Sequence, residues 1–257
     1  MTNANELLQQ AKDEGAISQA SLGALTLVDL GAQIQAGLGV CPDDVSASDV
    51  VLVTIMPDDS GSIRYANNAQ HVRDGHNLTL EALCKSKQRD AVLAHCRYLN
   101  GHVLYPYRAV QQAEQMTAQN YSPSLGTPLY DQALVLLGTV VAKAQEFSAA
   151  GIAVRTVTLL ITDGADAGSQ RARAADVAAL VRDLAKTEQH IVAAMGLDDG
   201  STDFRQVFRE MGLEDRWILT PAAGASEIRK AFQVFSQSAV RATQGTAAFT
   251  QLGGFGG

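Results

Sequence analysis

The stretch that decides the fold is Val50–Ser62, which reads VVLVTIMPDDSGS. Its first part, Val50–Met56, is a short run of apolar and β-branched residues, typical of a strand buried on both faces of a parallel sheet. Its second part opens with a proline turn signal and contains two carboxylates and two hydroxyls. Alternate side chains of an extended backbone share one face, so Asp58, Ser60 and Ser62 are predicted to converge where the strand ends.

Short apolar runs alternate with helix-length segments along the rest of the chain. The further predicted strands are 102–107, 154–162, 191–197 and 216–220, and the predicted helices are 80–99, 128–149, 173–190, 203–211 and 225–243. Such alternation is typical of βα units. We therefore predict a single α/β domain with a Rossmann-like, doubly wound, mostly parallel sheet flanked by helices.

The domain is predicted to occupy residues 49–243. Residues 1–48 are interpreted as an N-terminal extension packed on or near the core, with a loosely ordered arm as the alternative. Within that extension, 24–29 is a candidate strand or helix. Residues 244–257 end in Gly-Gly-Phe-Gly-Gly and are predicted to form a flexible tail.

Polar residues at strand ends are the candidate functional groups, because ligands of doubly wound folds bind beyond the carboxyl ends of the strands. Asp163 follows the strand 154–162, and Thr127 lies in the loop before the helix 128–149. Together with Asp58, Ser60 and Ser62 they supply two carboxylates and three hydroxyls. This all-oxygen set suits Mg²⁺ or Mn²⁺ and does not suit Zn²⁺.

The same three phrases resemble the metal-ion-dependent adhesion site (MIDAS) of von Willebrand factor type A (VWA) domains. DDSGSI (58–63) resembles that family's D-x-S-G-S-M/I, GTPLYDQAL (126–134) its G-T-x-L helix start, and LLITDGAD (159–166) its strand ending in T-D-G. The resemblance covers residues 49–243. It implies direct metal ligation by Ser60 and Ser62, and by Thr127 in the ligand-competent state. It also implies ligation by Asp58 and Asp163, directly or through water.

The resemblance implies a Mg²⁺- or Mn²⁺-dependent protein-binding module that captures an Asp or Glu carboxylate of a partner protein. We interpret this module as an intracellular adaptor or scaffold, and the resemblance adds that intracellular bacterial and archaeal relatives often work beside AAA+ ATPases, metal chelatases, or kinase and phosphatase systems. Catalysis is not expected. The alternatives are a metal-dependent hydrolase or phosphotransferase of α/β fold, and a structural subunit with an occluded site. The sequence lacks a phosphate-binding loop and a nucleophile elbow, which disfavours the enzyme alternatives.

Two features depart from the family pattern. The stretch 63–78 separates the serines from the first predicted helix, and we interpret it as an extra loop or short helix on the metal face. Pro57 stands where a strand residue is usual and is expected to bend the strand end. Four residues around this face are candidates for partner contact: Arg64, His71, His76 and Asp166.

The composition excludes several other classes of function. The chain has 257 residues, of which 46% are hydrophobic and 18% charged, and its formal net charge is −7. An acidic chain is a poor match for the phosphate backbone of nucleic acids, and no apolar run is long enough to span a membrane. The N-terminus does not have the pattern of a secretory signal. Three cysteines without a C-x-x-C pair predict a reducing cytoplasm and no disulfide framework.

Overall fold

A six-stranded sheet lies at the centre of this computed structural model, which describes residues 3–26, 30–244 and 254–256. Its strands are β1 (Asp49–Pro57), β2 (Val92–Arg97), β3 (Val103–Ala109), β4 (Ala153–Thr162), β5 (His190–Gly196) and β6 (Ile218–Leu219). Their spatial order is β3–β2–β1–β4–β5–β6, and β3 alone runs antiparallel to its neighbour. The predicted α/β fold with a mostly parallel sheet is confirmed.

Helices cover both faces of the sheet. Those in the described ranges are α1 (Ala4–Asp13), α2 (Gln19–Leu25), α3 (Leu30–Gln35), α4 (Gly61–Tyr65), α5 (Ala69–Cys84), α6 (Leu129–Ala149), α7 (Ala174–Lys186), α8 (Phe204–Glu210) and α9 (Ala225–Gln244). None of them combines the length and the hydropathy needed to cross a bilayer. One face of the sheet packs under α5 and α9, and the other packs under α6 and α7.

Strand β1 is buried on both of its faces. Val51, Val53 and Ile55 belong to the core beneath α5 and α9, whereas Met56 belongs to the core beneath α6 and α7. Every residue of the strand after its first is buried. A strand that is covered on both sides has no polar face, which explains its continuous apolar run.

The pairing of β1 with β4 sets the position of the site. The two strands remain in register up to the pair Pro57–Ile161, and beyond it the N–H of Asp58 donates to the carbonyl oxygen of Ile161 at 2.9 Å. The prediction that Pro57 bends the strand end is therefore wrong. Because both strands end at the same edge, the residues that follow them, Asp58 and Asp163, emerge side by side.

The helix predicted over 80–99 is wrong in position and extent. Helix α5 begins before this range and ends inside it, and its buried face includes Gly75, His76 and Thr79 beside Val72. These glycine and polar positions interrupt the apolar spacing that marks a helix in sequence. The last part of the predicted helix is β2, whose six side chains are all buried. A short run buried on both faces cannot be distinguished from a buried helix by its periodicity.

The stretch 63–78, interpreted above as an extra loop or short helix on the metal face, instead forms the end of α4 and the first part of α5. Helix α5 packs closely against α9. A Cβ added at Gly75 would lie 2.1 Å from the Phe232 ring, so a side chain at this position would clash. The later part of the stretch therefore belongs to a helix that covers the sheet, whereas its beginning, in α4, stays beside the serines.

The described part of the N-terminal segment packs on the core. Leu7, Leu8 and Leu25 are buried in the same apolar cluster as Leu134 of α6. Residues 37–40 also cover the outer edge of β3. The N–H of Tyr107 donates to the carbonyl oxygen of Gly37, and the carbonyl oxygen of Tyr107 accepts from the N–H of Val40. Covering an exposed strand edge removes a template for aggregation.

The C-terminal region is described only in part. In residues 254–256, the ring of Phe255 meets that of Trp217 edge to face, with centroids 5.5 Å apart. Residues 245–253 and 257 of the predicted flexible tail lie outside the described residues, as do residues 27–29 of the candidate element at 24–29.

Asp183 of α7 connects the N-terminal helices to the core. Its carboxylate accepts the main-chain N–H of Ser18 at 2.7 Å and the hydroxyl of Ser21 at 2.6 Å. Burial raises the pKa of Asp183, but these hydrogen bonds outweigh burial and lower the pKa to about 2. A lowered pKa contributes stability above the unfolded-state value of about 4, and this stability is lost as the pH falls from about 4 to 2.

We predict that Asp183→Ala lowers the free energy of unfolding by about 1.5–3 kcal/mol, because hydrogen bonds to a charged acceptor are lost. Urea unfolding at pH 7 measures the loss, and the difference from wild type should shrink below about pH 4. The control is Asp215→Ala, since Asp215 is half-exposed and its ion pair with Arg209 lies at the surface. Equal losses in both variants would contradict the assigned role of Asp183.

Candidate metal centre

The carboxylate of Asp58 is held in a fixed orientation at the end of β1. The N–H of Ser60 donates to its Oδ1 at 2.7 Å, and the hydroxyl of Thr162 donates to its Oδ2 at 2.7 Å. The Tyr121 hydroxyl donates to the main-chain carbonyl oxygen of Asp58. Asp58 is fully buried. Both carboxylate oxygens are thus tied to protein donors from two neighbouring strand ends.

Two serine hydroxyls and the second carboxylate lie within hydrogen-bond distance of each other. Ser62 Oγ donates to Asp163 Oδ1 at 2.7 Å, and Ser60 Oγ lies 2.8 Å from Ser62 Oγ and 3.4 Å from the same Asp163 oxygen. Ser60 and Asp163 are buried, whereas Ser62 is exposed. The structure therefore brings together Asp58, Ser60, Ser62 and Asp163, and the cluster opens to solvent on the Ser62 side.

Thr127 reaches this edge on a neighbouring loop. Ser60 forms an isolated parallel bridge with Leu125, and Thr127 forms an antiparallel bridge with Ala167, which follows the Asp163 turn. Thr127 is buried, and its hydroxyl makes no hydrogen bond to a described residue. The backbone thus places Thr127 between the two strand-end turns, but no side-chain hydrogen bond joins it to the other four residues.

Asp59 and Asn100 hold the turn together, and the sequence analysis missed both. Asp59 Oδ1 accepts the main-chain N–H of Asn100 at 3.0 Å and its side-chain amide at 2.8 Å. The main-chain carbonyl of Asp59 accepts from Ser124 and Leu125. Asp59 is buried and directed towards Asn100, so it supports the loop around the site. A single sequence offers no local signal for this pairing, since the partners are 41 residues apart.

The electrostatics of the cluster favour a bound cation. Burial is the main cause that raises the pKa of Asp58, and burial together with the neighbouring charges of Asp58 and Asp199 raises the pKa of Asp163 to about 6. Within the described residues, no lysine or arginine forms an ion pair with either carboxylate. Keeping two buried carboxylates ionised at one edge costs free energy, and a cation bound between them would remove that cost.

The candidate partner-contact residues differ in their accessibility. Arg64 is exposed on α4, the helix that also contains Ser62, and His71 is half-buried on α5. The expectation for His76 is wrong: the side chain is fully buried, its Nε2 lies 2.9 Å from the Tyr105 hydroxyl, and burial lowers its pKa to about 4. A docked partner does not reach such a side chain.

Asp166 is half-buried and organises the start of α6. Its Oδ1 accepts the N–H of Tyr130 at 3.2 Å and the hydroxyl of Ser169 at 2.5 Å. A carboxylate at this position satisfies free N–H groups of the first helical turn and complements the helix dipole. These contacts give Asp166 a capping role in α6, the helix that follows Thr127.

The donor set consists of oxygen atoms, with hydroxyls outnumbering carboxylates. Among the described residues, no group of three or more His, Cys, Asp or Glu side chains could hold a metal ion. The four clustered residues and Thr127 supply oxygen ligands alone, a donor type that divalent cations such as Mg²⁺ and Mn²⁺ accept.

No protein-family model matches this sequence, and no curated protein matches it in sequence. Solved structures, in contrast, share its fold. Proximal thread matrix protein 1 (PTMP1) from the mussel byssus aligns with 76% of the chain and 48% of its own length, at 15% identity and a TM-score of 0.52. The chain thus spans about half the length of PTMP1. A further structure of that protein, with a zinc-occupied MIDAS motif, aligns with a TM-score of 0.53.

Two further structures align at a TM-score of 0.50. The SpRpn10 VWA domain covers 77% of this chain and is itself covered completely, at 9% identity. Manganese-loaded TRAP protein of Plasmodium vivax aligns at 18% identity. The alignment covers 74% of this chain and 74% of the TRAP chain. Likeness at such low identity concerns the fold alone. These structural alignments show that the chain has the α/β fold of VWA, or integrin I-like, domains.

Proposed function

We propose that this chain is a protein-binding module that works through a divalent cation, Mg²⁺ or Mn²⁺, held at the edge of β1 and β4. The observation that carries this proposal is the pair of buried carboxylates, Asp58 and Asp163, beside two serine hydroxyls and without a basic partner among the described residues. The metal-loaded structures of PTMP1 and TRAP support a cation in a fold of this kind.

In the proposed site, Ser60, Ser62 and Thr127 bind the cation directly, and Asp58 and Asp163 bind it directly or through water. Two carboxylates balance the charge of a divalent ion, and the neutral hydroxyls leave it electrophilic. Mg²⁺ takes six oxygen ligands, so the remaining positions are open to water or to an incoming group. An Asp or Glu side chain of a partner protein completes the shell.

A binding role fits this edge better than a hydrolytic one. Two-metal hydrolases hold their ions with several carboxylates. Here one oxygen of the third nearby carboxylate, Asp59, accepts two hydrogen bonds from Asn100. The half-buried Asp166 accepts a hydrogen bond from the N–H of Tyr130 in the first turn of α6. The proposed site therefore offers a cation for recognition without the second metal position that hydrolysis of this type requires.

We also propose that the module acts as an adaptor in the cytoplasm. Cys41, Cys84 and Cys96 are all free thiols, and burial raises the pKa of the Cys84 and Cys96 thiols. A sparse, odd set of unpaired cysteines is typical of proteins from a reducing compartment. The partner in this proposal is a protein, not a nucleic acid or a membrane, in keeping with the net charge of −7.

Mg²⁺ or Mn²⁺ is predicted to raise the melting temperature relative to EDTA, because a ligand of the folded state stabilises it. At a cation concentration of 100 times Kd the gain is about 2.7 kcal/mol. Differential scanning calorimetry of wild type, Asp163→Asn and Asp215→Asn measures it. The shift should disappear in Asp163→Asn and persist in Asp215→Asn, whose position is a surface ion pair. An unchanged melting temperature of wild type at saturating cation would contradict the metal site.

Cation affinity is predicted to fall as the pH falls through about 6. Without metal, Asp163 takes up a proton with a pKa of about 6, and that proton competes with the cation. In the metal-free protein the same raised pKa adds stability below about pH 4 that is lost as the pH rises through about 6. Isothermal titration with Mn²⁺ at pH 7.5 and pH 5 measures the competition. Equal affinities at the two pH values would exclude Asp163 as a ligand.

A further inference from the structure

Two large hydrophobic side chains are exposed among the described residues, and both lie beside the proposed cation site. Tyr65 is 78% exposed and Leu125 is 56% exposed. Isolated exposed apolar residues are common on protein surfaces and need no explanation by themselves. The position of this pair is the informative feature.

Both residues lie against Gly61, which stands between the two serines of the site, Tyr65 through its ring and Leu125 through its main chain. The Tyr65 ring atom Cε2 lies 3.5 Å from the position that a Cβ at Gly61 would occupy. The N–H of Gly61 donates to the carbonyl oxygen of Leu125 at 2.9 Å. Tyr65 and Leu125 therefore border the segment that presents Ser60 and Ser62.

The backbone that carries these side chains is held by the site itself. The N–H of Leu125 donates to the carbonyl of Asp59 at 3.1 Å, and Leu125 bridges Ser60. Tyr65 ends α4, the short helix that begins directly after Ser60, and the Arg64 guanidinium lies 5.2 Å from its ring centroid. The two apolar groups are thus presented on a braced turn together with one positive charge.

We propose that Tyr65 and Leu125 form an apolar rim that selects partner segments in which the metal-binding Asp or Glu is flanked by bulky apolar residues. This inference rests on the proposed function. A carboxylate that reaches the cation places its neighbours against the rim, where apolar side chains lose contact with water. The Arg64 charge adds to the attraction of the cation for an acidic segment and disfavours a basic one.

The probe is a set of immobilised peptides, each with a single glutamate in a glycine–serine background. One set has leucine on each side of the glutamate, a second has serine there, and a third is the leucine set with glutamine in place of glutamate. The full chain is applied in Mg²⁺ and in EDTA. Wild type is expected to bind the leucine set about ten-fold better than the serine set, a difference of ~1.4 kcal/mol. It should bind neither the glutamine set nor any peptide in EDTA.

The double variant Tyr65→Ser/Leu125→Ser removes the rim and leaves the proposed ligands in place. It should keep the Mg²⁺-induced melting shift and retain the leucine and serine peptides equally. The matched control Tyr65→Phe/Leu125→Met keeps the apolar surface and should keep the preference. Both positions are exposed, so neither change disturbs the core.

The outcomes separate this inference from the function on which it rests. Equal binding of both acidic sets by wild type, or a preference that survives in the double variant, overturns the rim. Retention of no acidic peptide, with the melting shift intact, also overturns the rim and leaves the metal site standing. The absence of a melting shift in wild type overturns the proposed function itself.

Discussion

The burial of two carboxylates at one edge of the sheet is the constraint on which the rest of the site depends. Asp58 and Asp163 follow paired strands, and both are removed from water. Removing charge from solvent is costly unless it is compensated by hydrogen bonds or by an opposite charge. Here Ser60, Ser62 and Thr162 donate the hydrogen bonds to the two carboxylates. The proposed cation would supply the opposite charge.

The fold places this edge by means of core packing that is remote from it. Helices α5 and α9 on one face, and α6 and α7 on the other, bury β1 almost completely, and this packing fixes where the strand ends. The loop that carries Leu125 and Thr127 is then attached to the β1–α4 turn through the main chain of Asp59 and the Asn100 amide. The site is therefore assembled from three loops whose positions follow from one sheet.

Most of the sheet and the four clustered site residues could be predicted from sequence because their signals are local, whereas β2 could not be distinguished from a buried helix. A both-faces-buried strand reads as an apolar run, and D-x-S-x-S places its side chains by simple alternation. Other features could not be predicted, because they depend on partners distant in the chain. The beginning of α5 could not be predicted because His76 and Thr79 on its buried face are satisfied by contacts with other elements. Asp59 with Asn100, and the exposed rim, likewise emerge only from tertiary structure.

Counting bound ions tests the central claim most directly. Free Mn²⁺ has a characteristic electron paramagnetic resonance spectrum, so the loss of its signal on addition of protein gives the number of ions bound per chain. The account predicts one tightly bound Mn²⁺ per chain in wild type and none in the variant Asp58→Ala/Asp163→Ala, with circular dichroism confirming that the variant is folded. Failure of wild type to bind Mn²⁺, or equal binding by the folded variant, would contradict it.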